Sequence, residues 1–263
     1  MSAAIERLRT LRTVSLEELN AQAALQTRVD RKYIVAAHDA TAVLAALPRD
    51  AQVLEIDGER ALRYASRYYD TPTLDSYLGA ARGRRRRFKV RSRSYVDSGG
   101  QFLEVKTRGG RSATVKDRVP VATSGLDEAG VQYAAEMLAD AGIPESGRIA
   151  ERLQPTLETR YRRATLLLPG NETGGISAAR ATIDIDLAWA DITGERMHLP
   201  GAVIIETKSG QRPGALDRTL WRHGHRPSSI SKYGTGLAAL RPALPSNKWR
   251  RVLSDHFADA IAA

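Results

Sequence analysis

The chain has 263 residues, with 40 Lys+Arg against 30 Asp+Glu, for a formal charge of +10, and 42% of its residues are hydrophobic. That length supports a core without staples, and with no cysteine there are no disulfides, thiolate metal sites or Cys nucleophile. No run of about 18 apolar residues exists, as a membrane-spanning helix would need, and the mixed charge of the first 19 residues lacks a secretory apolar segment, so a cytoplasmic protein is expected.

The elements read in order as follows. Ser15 to Gln26 is predicted to be a helix, with Ser15 as N-cap and Glu18 three residues on, the spacing of a capping box. Residues 28–35 read as a strand, and His38 to Leu47 as a helix stopped by Pro48. A strand-rich stretch follows from about Ala61 to Val121, with turns at Ser98-Gly99-Gly100 and Gly109-Gly110. Asp127–Ala141, ended by Gly142, and Glu145–Leu153 read as helices. Strands resume at Glu158–Leu168, Ala181–Ala190 and Ala202–Ser209. Helices close the chain at Ala215–His223, Ser229–Leu240 and Lys248–Ala262. Strands in two batches, with helices between and after, predict α+β with a mainly antiparallel sheet and no dividing linker. The chain is thus read as a single domain over 1–263, with a core of about 25–240 and a C-terminal helix over 241–263.

The strands carry the functional signal. Residues i, i+2 and i+4 of a strand share a face. By that rule Arg87, Lys89, Arg91 and Arg93 line up opposite Phe88 and Val90. Glu104, Lys106 and Arg108 oppose Leu103 and Val105, and Lys116 and Arg118 oppose Val115 and Val119. Arg28, Asp30 and Lys32 share a face, as do Tyr161, Arg163 and Thr165. Arg180, Thr182, Asp184 and Asp186 line up, and Glu206 and Lys208 form a further pair. One such strand is what any half-exposed sheet shows. Seven of them are different. If the sheet closes into a barrel, the charged faces line a lumen that stays stable only when wet or filled by a polyanion. A chain of phosphates suits Arg forks and Lys ammonium groups.

These segments resemble the VTC (vacuolar transporter chaperone) domain, a branch of the triphosphate tunnel metalloenzymes. The matching pieces, in order, are RVDRKY (28–33), RYYDT (67–71), KVRSRSY (89–95), FLEVKTR (102–108), SATVKDR (112–118), TRYRRATL (159–166), RATIDID (180–186), IIETKS (204–209) and SISKYGTG (229–236). Six of the seven lysines fall in them. The resemblance implies a closed antiparallel tunnel barrel of about eight strands with helices outside. It implies a polyphosphate polymerase moving the γ-phosphate of ATP onto a polyphosphate chain, dependent on Mn²⁺ or Mg²⁺. Carried over, Lys32, Arg91, Arg93, Lys106 and Arg163 would be catalytic. Arg28, Lys116, Tyr161, Arg180, Lys208, Ser231 and Lys232 would bind phosphate, and Glu206 the metal, with Glu104 or Asp184 as a helper. Departures are Ser229, where eukaryotic members carry Lys, and Asp30, which shortens a glutamate's reach. The implied partners are ATP or another nucleoside triphosphate and inorganic polyphosphate. Hydrolysis of triphosphate and non-catalytic polyphosphate binding use the same cations and stay open. The basic run Arg82–Arg93 is the one feature suggesting nucleic acid, but it lacks a helix-turn-helix or aromatic stacking pattern beside it, so nucleic acid is not the expected partner. His223 and His225, beside Gly224, read as a helix end rather than a metal pair, and Trp189, Trp221 and Trp249 as packing residues.

Overall fold

The computed structural model describes residues 2–22, 29–108, 114–170, 178–258 and 260–262; Arg28 and the Gly109-Gly110 turn lie outside them. The chain divides into two compact units, each with its own core. Unit 1 comprises Met1–Arg63, Tyr161–Leu187 and Leu199–Ile230, and unit 2 comprises Tyr64–Arg160, Ala188–His198 and Ser231–Ala263.

Unit 1 contains α1 (Ser2–Arg9), β1 (Arg12–Val14), α2 (Leu16–Gln22), β2 (Val29–Ala36), α3 (Ala37–Ala45) and β3 (Gln52–Leu54). It also holds residues 161–168 of β8 (Gln154–Leu168), residues 179–187 of β9 (Ala179–Asp191), β11 (Ala202–Ser209) and α7 (Ala215–Arg222). Its strands run β2-β11-β9-β8-β3-β1, antiparallel where β11 meets β2 and β9 and where β3 meets β8, and parallel for β1 with β3. Alternation sends Tyr33, Val35, Val203, Ile205, Ile183 and Leu166 to one face, where they bury against Val43 and Leu44 of α3 and Leu216 and Leu220 of α7. Each fully buried aliphatic side chain stabilises by roughly 1.5–3 kcal/mol. Asp217 of α7 fixes that helix to the sheet: fully buried, it accepts from the Tyr33 hydroxyl at 2.8 Å and the Gly214 N–H at 2.8 Å. The Ser15 capping box forms as the spacing predicts: the Glu18 N–H donates to Ser15 Oγ at 3.1 Å and the Ser15 N–H to Glu18 Oε2 at 3.0 Å.

Unit 2 contains nearly all of β4 (Leu62–Asp70), then α4 (Asp75–Ala81), β5 (Arg87–Tyr95), β6 (Gln101–Arg108), β7 (Thr114–Pro120), α5 (Glu128–Asp140) and α6 (Ser146–Glu151). The remaining parts of β8 and β9, most of β10 (Arg196–Leu199), α8 (Lys232–Leu240), a 3₁₀ turn (Asn247–Trp249), α9 (Arg250–His256) and β12 (Ile261–Ala262) complete it. The run β4-β5-β6-β7 is an antiparallel meander. Phe88, Val90, Leu103 and Val105 bury against Ala134 and Leu138 of α5. Asp70 caps α4 by accepting from the N–H groups of Ser76 at 2.8 Å and Tyr77 at 2.9 Å, and it also accepts from the Tyr233 hydroxyl.

The architecture is mixed α/β with a large, mainly antiparallel sheet, as expected, but among the described residues neither unit's ladder closes on itself, so the closed barrel is not formed within either. In unit 2 the ladder ends at β7, whose charged Lys116, Asp117 and Arg118 are exposed; charge on an edge strand opposes further pairing. Val115, expected on the covered apolar side of its strand, is 56% exposed on that edge. The C-terminal helix expected over 248–262 is shorter: the 3₁₀ turn leads into α9, and the chain then pairs β12 with β10. The short helices α1 and α4 carry no strong periodic signal and were not expected. No helix among the described residues is long and apolar enough to cross a membrane.

Close packing in unit 2 fixes α8. A Cβ added at Gly236 would lie 2.3 Å from the Trp189 ring, and one at Gly234 2.4 Å from the Trp249 ring. Gly236→Ala is expected to cost about 1–3 kcal/mol by overpacking. Gly210→Ala, where nothing lies within 4 Å, serves as the near-neutral control. Urea unfolding of the two variants checks this.

Candidate functional site

The polar face of the unit 2 meander is unbalanced. Its register sets Lys89 opposite Lys106 and Lys106 opposite Lys116, so three ammonium groups form one row across three strands. The next row is Arg91, Glu104 and Arg118, and Arg93 follows on β5 opposite Ser66 of β4. Like charges directly opposite one another destabilise a sheet. Glu104 offsets part of this charge. Glu104, 2% exposed, accepts from Arg91 Nε at 2.7 Å and Lys116 Nζ at 2.9 Å, and lies 3.7 Å from Arg93 Nη1. Burial would raise its pKa, but Arg91, Arg93 and Lys116 together outweigh that and hold the carboxyl well below the usual range. Loss of hydration pushes the Lys116 ammonium down to about 8, with Arg91 and Arg93 adding to the shift and Glu104 opposing it.

Aromatic rings floor this face. Arg91 lies over Tyr68 at 5.7 Å and also donates to its hydroxyl at 3.1 Å; Arg93 lies over Tyr64 at 5.7 Å. Lys89 sits 5.9 Å from the centroids of both Tyr68 and Tyr233 and donates to Ser231 Oγ at 2.9 Å. Ser231 is the N-cap of α8, accepting from the Gly234 N–H at 3.1 Å, and the Lys232 carbonyl accepts from Trp189 Nε1 at 2.8 Å. Arg91, Arg93, Lys106 and Lys116 thus share one face of one unit. Ser231 joins them through Lys89. Lys89 and Tyr68 were not chosen from the sequence, although the alternation that selects Arg91 and Arg93 also selects Lys89.

The polar face of unit 1 is paired instead. Lys32 stands opposite Glu206 across β2 and β11, with Nζ 3.6 Å from Oε1, and Lys208 stands between Asp30 and Arg180. Arg163 and Asp184 form a buried two-point ion pair at 2.6 and 2.8 Å. Burial disfavours the Arg163 cation, but Asp184 more than offsets this and holds its pKa well above the ordinary value. Tyr161 is buried, its ring 5.3 Å from the Arg163 guanidinium. Arg180 reaches α2, donating to Asn20 Oδ1 at 2.9 Å. Asp186 leaves the expected row: its positive φ of 55° breaks the alternation, and its carboxylate lies 3.8 Å from Arg162 on the other side. Glu104 and Asp184, considered as aids to a metal, are committed to their cations. His225 donates its N–H to the Leu220 carbonyl at 2.9 Å, closing the end of α7 as expected of a helix terminus.

Removing the Glu104 charge leaves buried guanidinium groups unpaired. Glu104→Gln is expected to lose about 3–5 kcal/mol of stability near neutral pH. Because the folded-state pKa is lowered, the wild-type advantage is complete above the ordinary glutamate value of 4.5 and is lost as the pH falls through the folded value. Urea denaturation of both proteins at stepped pH measures the gap; a gap independent of acid would contradict the assignment.

A search of curated proteins finds no match. Among solved structures, a candidate adenylate cyclase from Bacillus halodurans is 12% identical, with 78% of this chain and 94% of that chain covered and a TM-score of 0.45. A Pyrococcus horikoshii protein is 14% identical over 80% of this chain and 98% of its own, with a TM-score of 0.43. A candidate adenylyl cyclase from Hippeastrum, described as having a dominant triphosphatase activity, is 13% identical over 84% and 100%, with a TM-score of 0.42. The sequence model of the VTC domain matches residues 27–241, which include the cations and carboxylates of both polar faces, and the chain belongs to the VTC domain family.

Proposed function

We propose that this protein is a phosphoryl-transfer enzyme acting on triphosphates, and that its reaction is extension of inorganic polyphosphate from ATP. The observation that supports this most is the unit 2 face, where the register gathers Lys89, Arg91, Arg93, Lys106, Lys116 and Arg118 on three neighbouring strands and Glu104 pairs with Arg91, Arg93 and Lys116. Such a face calls for a polyanion. Membership of the VTC family supports a triphosphate in that role.

In this reading Arg91, Arg93, Lys106 and Lys116 hold the phosphates and neutralise charge that builds on the transferred phosphoryl group. Glu104 fixes the two guanidinium groups in place before substrate arrives, so little reorganisation is needed. Ser231 and Lys232 stand at the N-terminus of α8, where the helix favours an anion. In unit 1, Lys32, Tyr161, Arg163, Arg180 and Lys208 would bind phosphate, with Arg163 kept in position by Asp184. A terminal oxygen of the acceptor chain attacks the γ-phosphorus of ATP. The bond from that phosphorus to the β–γ bridging oxygen breaks, and ADP leaves with the electron pair. With water as acceptor the same site gives orthophosphate.

The carboxylates present fit a hard divalent ion that takes most of its ligands from substrate and water. Among the described residues no group of three His, Cys, Asp or Glu side chains forms a protein cage, and Mg²⁺ or Mn²⁺ at phosphate sites needs only one or two carboxylates. Glu206 would hold it. The ion, when bound, would supply Lewis-acid neutralisation of phosphate oxygens.

Incubation with ATP and Mn²⁺, followed by sizing of the products, tests the reaction: long chains are expected, and orthophosphate alone would overturn polymerisation in favour of hydrolysis. Glu206→Ala is expected to abolish metal-dependent turnover while tripolyphosphate binding persists in titration calorimetry. Tripolyphosphate affinity is also expected to weaken as the pH rises through about 8, where Lys116 loses its proton. Lys116→Ala should flatten that limb.

A further inference from the structure

Next to the lysine row of unit 2 stands a cationic group that neither the family resemblance nor the reading above uses. Arg87 of β5 is directly opposite Arg108 of β6, one row beyond Lys89 and Lys106. Rows sharing a face are two residues apart, roughly 6.6 Å along a strand. Lys248, in the 3₁₀ turn before α9, reaches the same corner. Its Nζ donates to the Ala80 carbonyl at 2.8 Å, and the neighbouring Gly79 sits so close to β5 that a Cβ there would lie 3.5 Å from Arg87 Cβ. The end of α4 therefore brings Lys248 beside the arginine pair.

These three cations lack a carboxylate partner among the described residues. Arg87 donates to the Arg84 carbonyl at 2.7 Å, and Arg108 Nε is buried with no hydrogen-bond partner. A buried donor left unsatisfied is costly, and two guanidinium groups set directly opposite repel. Burial and the charge of Arg108 lower the Arg87 pKa, and burial together with Arg87 and Arg108 lowers that of Lys248. The corner is an anion site by construction. Nucleic acid suits it poorly, since binding of single strands relies on exposed rings for base stacking, and the nearby aromatics Tyr77, Phe88 and Trp249 are buried.

We propose that Arg87, Arg108 and Lys248 form an outer subsite that takes the continuing phosphates of a polyphosphate chain longer than triphosphate. The proposal rests on the reading that the adjoining face binds phosphate chains. It makes this corner the element that separates long chains from short ones.

The test titrates the full-length wild type and the Arg87→Ala/Arg108→Ala/Lys248→Ala triple variant, at one fixed salt concentration, with sodium tripolyphosphate, long-chain polyphosphate and random duplex DNA. Long-chain affinity is expected to fall about ten-fold or more in the triple variant, with a shallower salt dependence, while tripolyphosphate affinity stays within about two-fold. Equal loss for both phosphates, loss for neither, or a larger loss for DNA than for polyphosphate would each overturn the subsite. Lys248→Gln, at an exposed side chain, guards against misfolding of the triple variant: it should weaken long-chain binding alone, and no change there would also overturn the proposal. If the wild type fails to bind tripolyphosphate, the reading of the adjoining face fails, while the long-chain comparison still decides the corner.

Discussion

A single buried carboxylate makes the unit 2 face possible. Glu104 is reached by Arg91, Arg93 and Lys116 from two neighbouring strands, and it does so at almost complete exclusion from water. Without it, cations set side by side on a pleated surface would repel with little to offset them. With it, two arginines are fixed in direction and a lysine of the next strand is drawn to the same point. The carboxylate is a structural counter-ion for cations of two strands.

The two units handle the same problem differently. In unit 1 the acids and bases are nearly matched, Lys32 with Glu206 and Arg163 with Asp184. In unit 2 one carboxylate, Glu104, serves Arg91, Arg93 and Lys116 at once. A pair holds two side chains against each other, whereas a shared carboxylate gathers cations from separate strands to one place.

Much of this was legible in the sequence, because strand alternation depends only on the order of residues. The row of Arg91 and Arg93, the opposed core of Phe88 and Val90, and the Ser15 cap all follow from local spacing. The pairings were not legible. That Glu104 serves three cations, or that Asp184 is taken by Arg163, depends on which strands become neighbours, and register is a long-range property. Barrel closure was over-read for the same reason: a charged face on each strand says nothing about whether the last ladder pairs. Asp186 shows a further limit, since its positive φ takes it out of the row that spacing assigns and no spacing rule announces it.

The tryptophan contacts of α8 have a use beyond packing. Trp189 donates its indole N–H to the carbonyl of Lys232, the residue that follows the N-cap serine held by Lys89. The ring is buried against Gly236 with no room for a methyl group. Indole emission depends on the polarity and hydrogen bonding around the ring, so the chain carries its own optical reporter wired to the start of this helix. Any change at Ser231 or Lys232 lies one hydrogen bond from a fluorophore already in place, without any label.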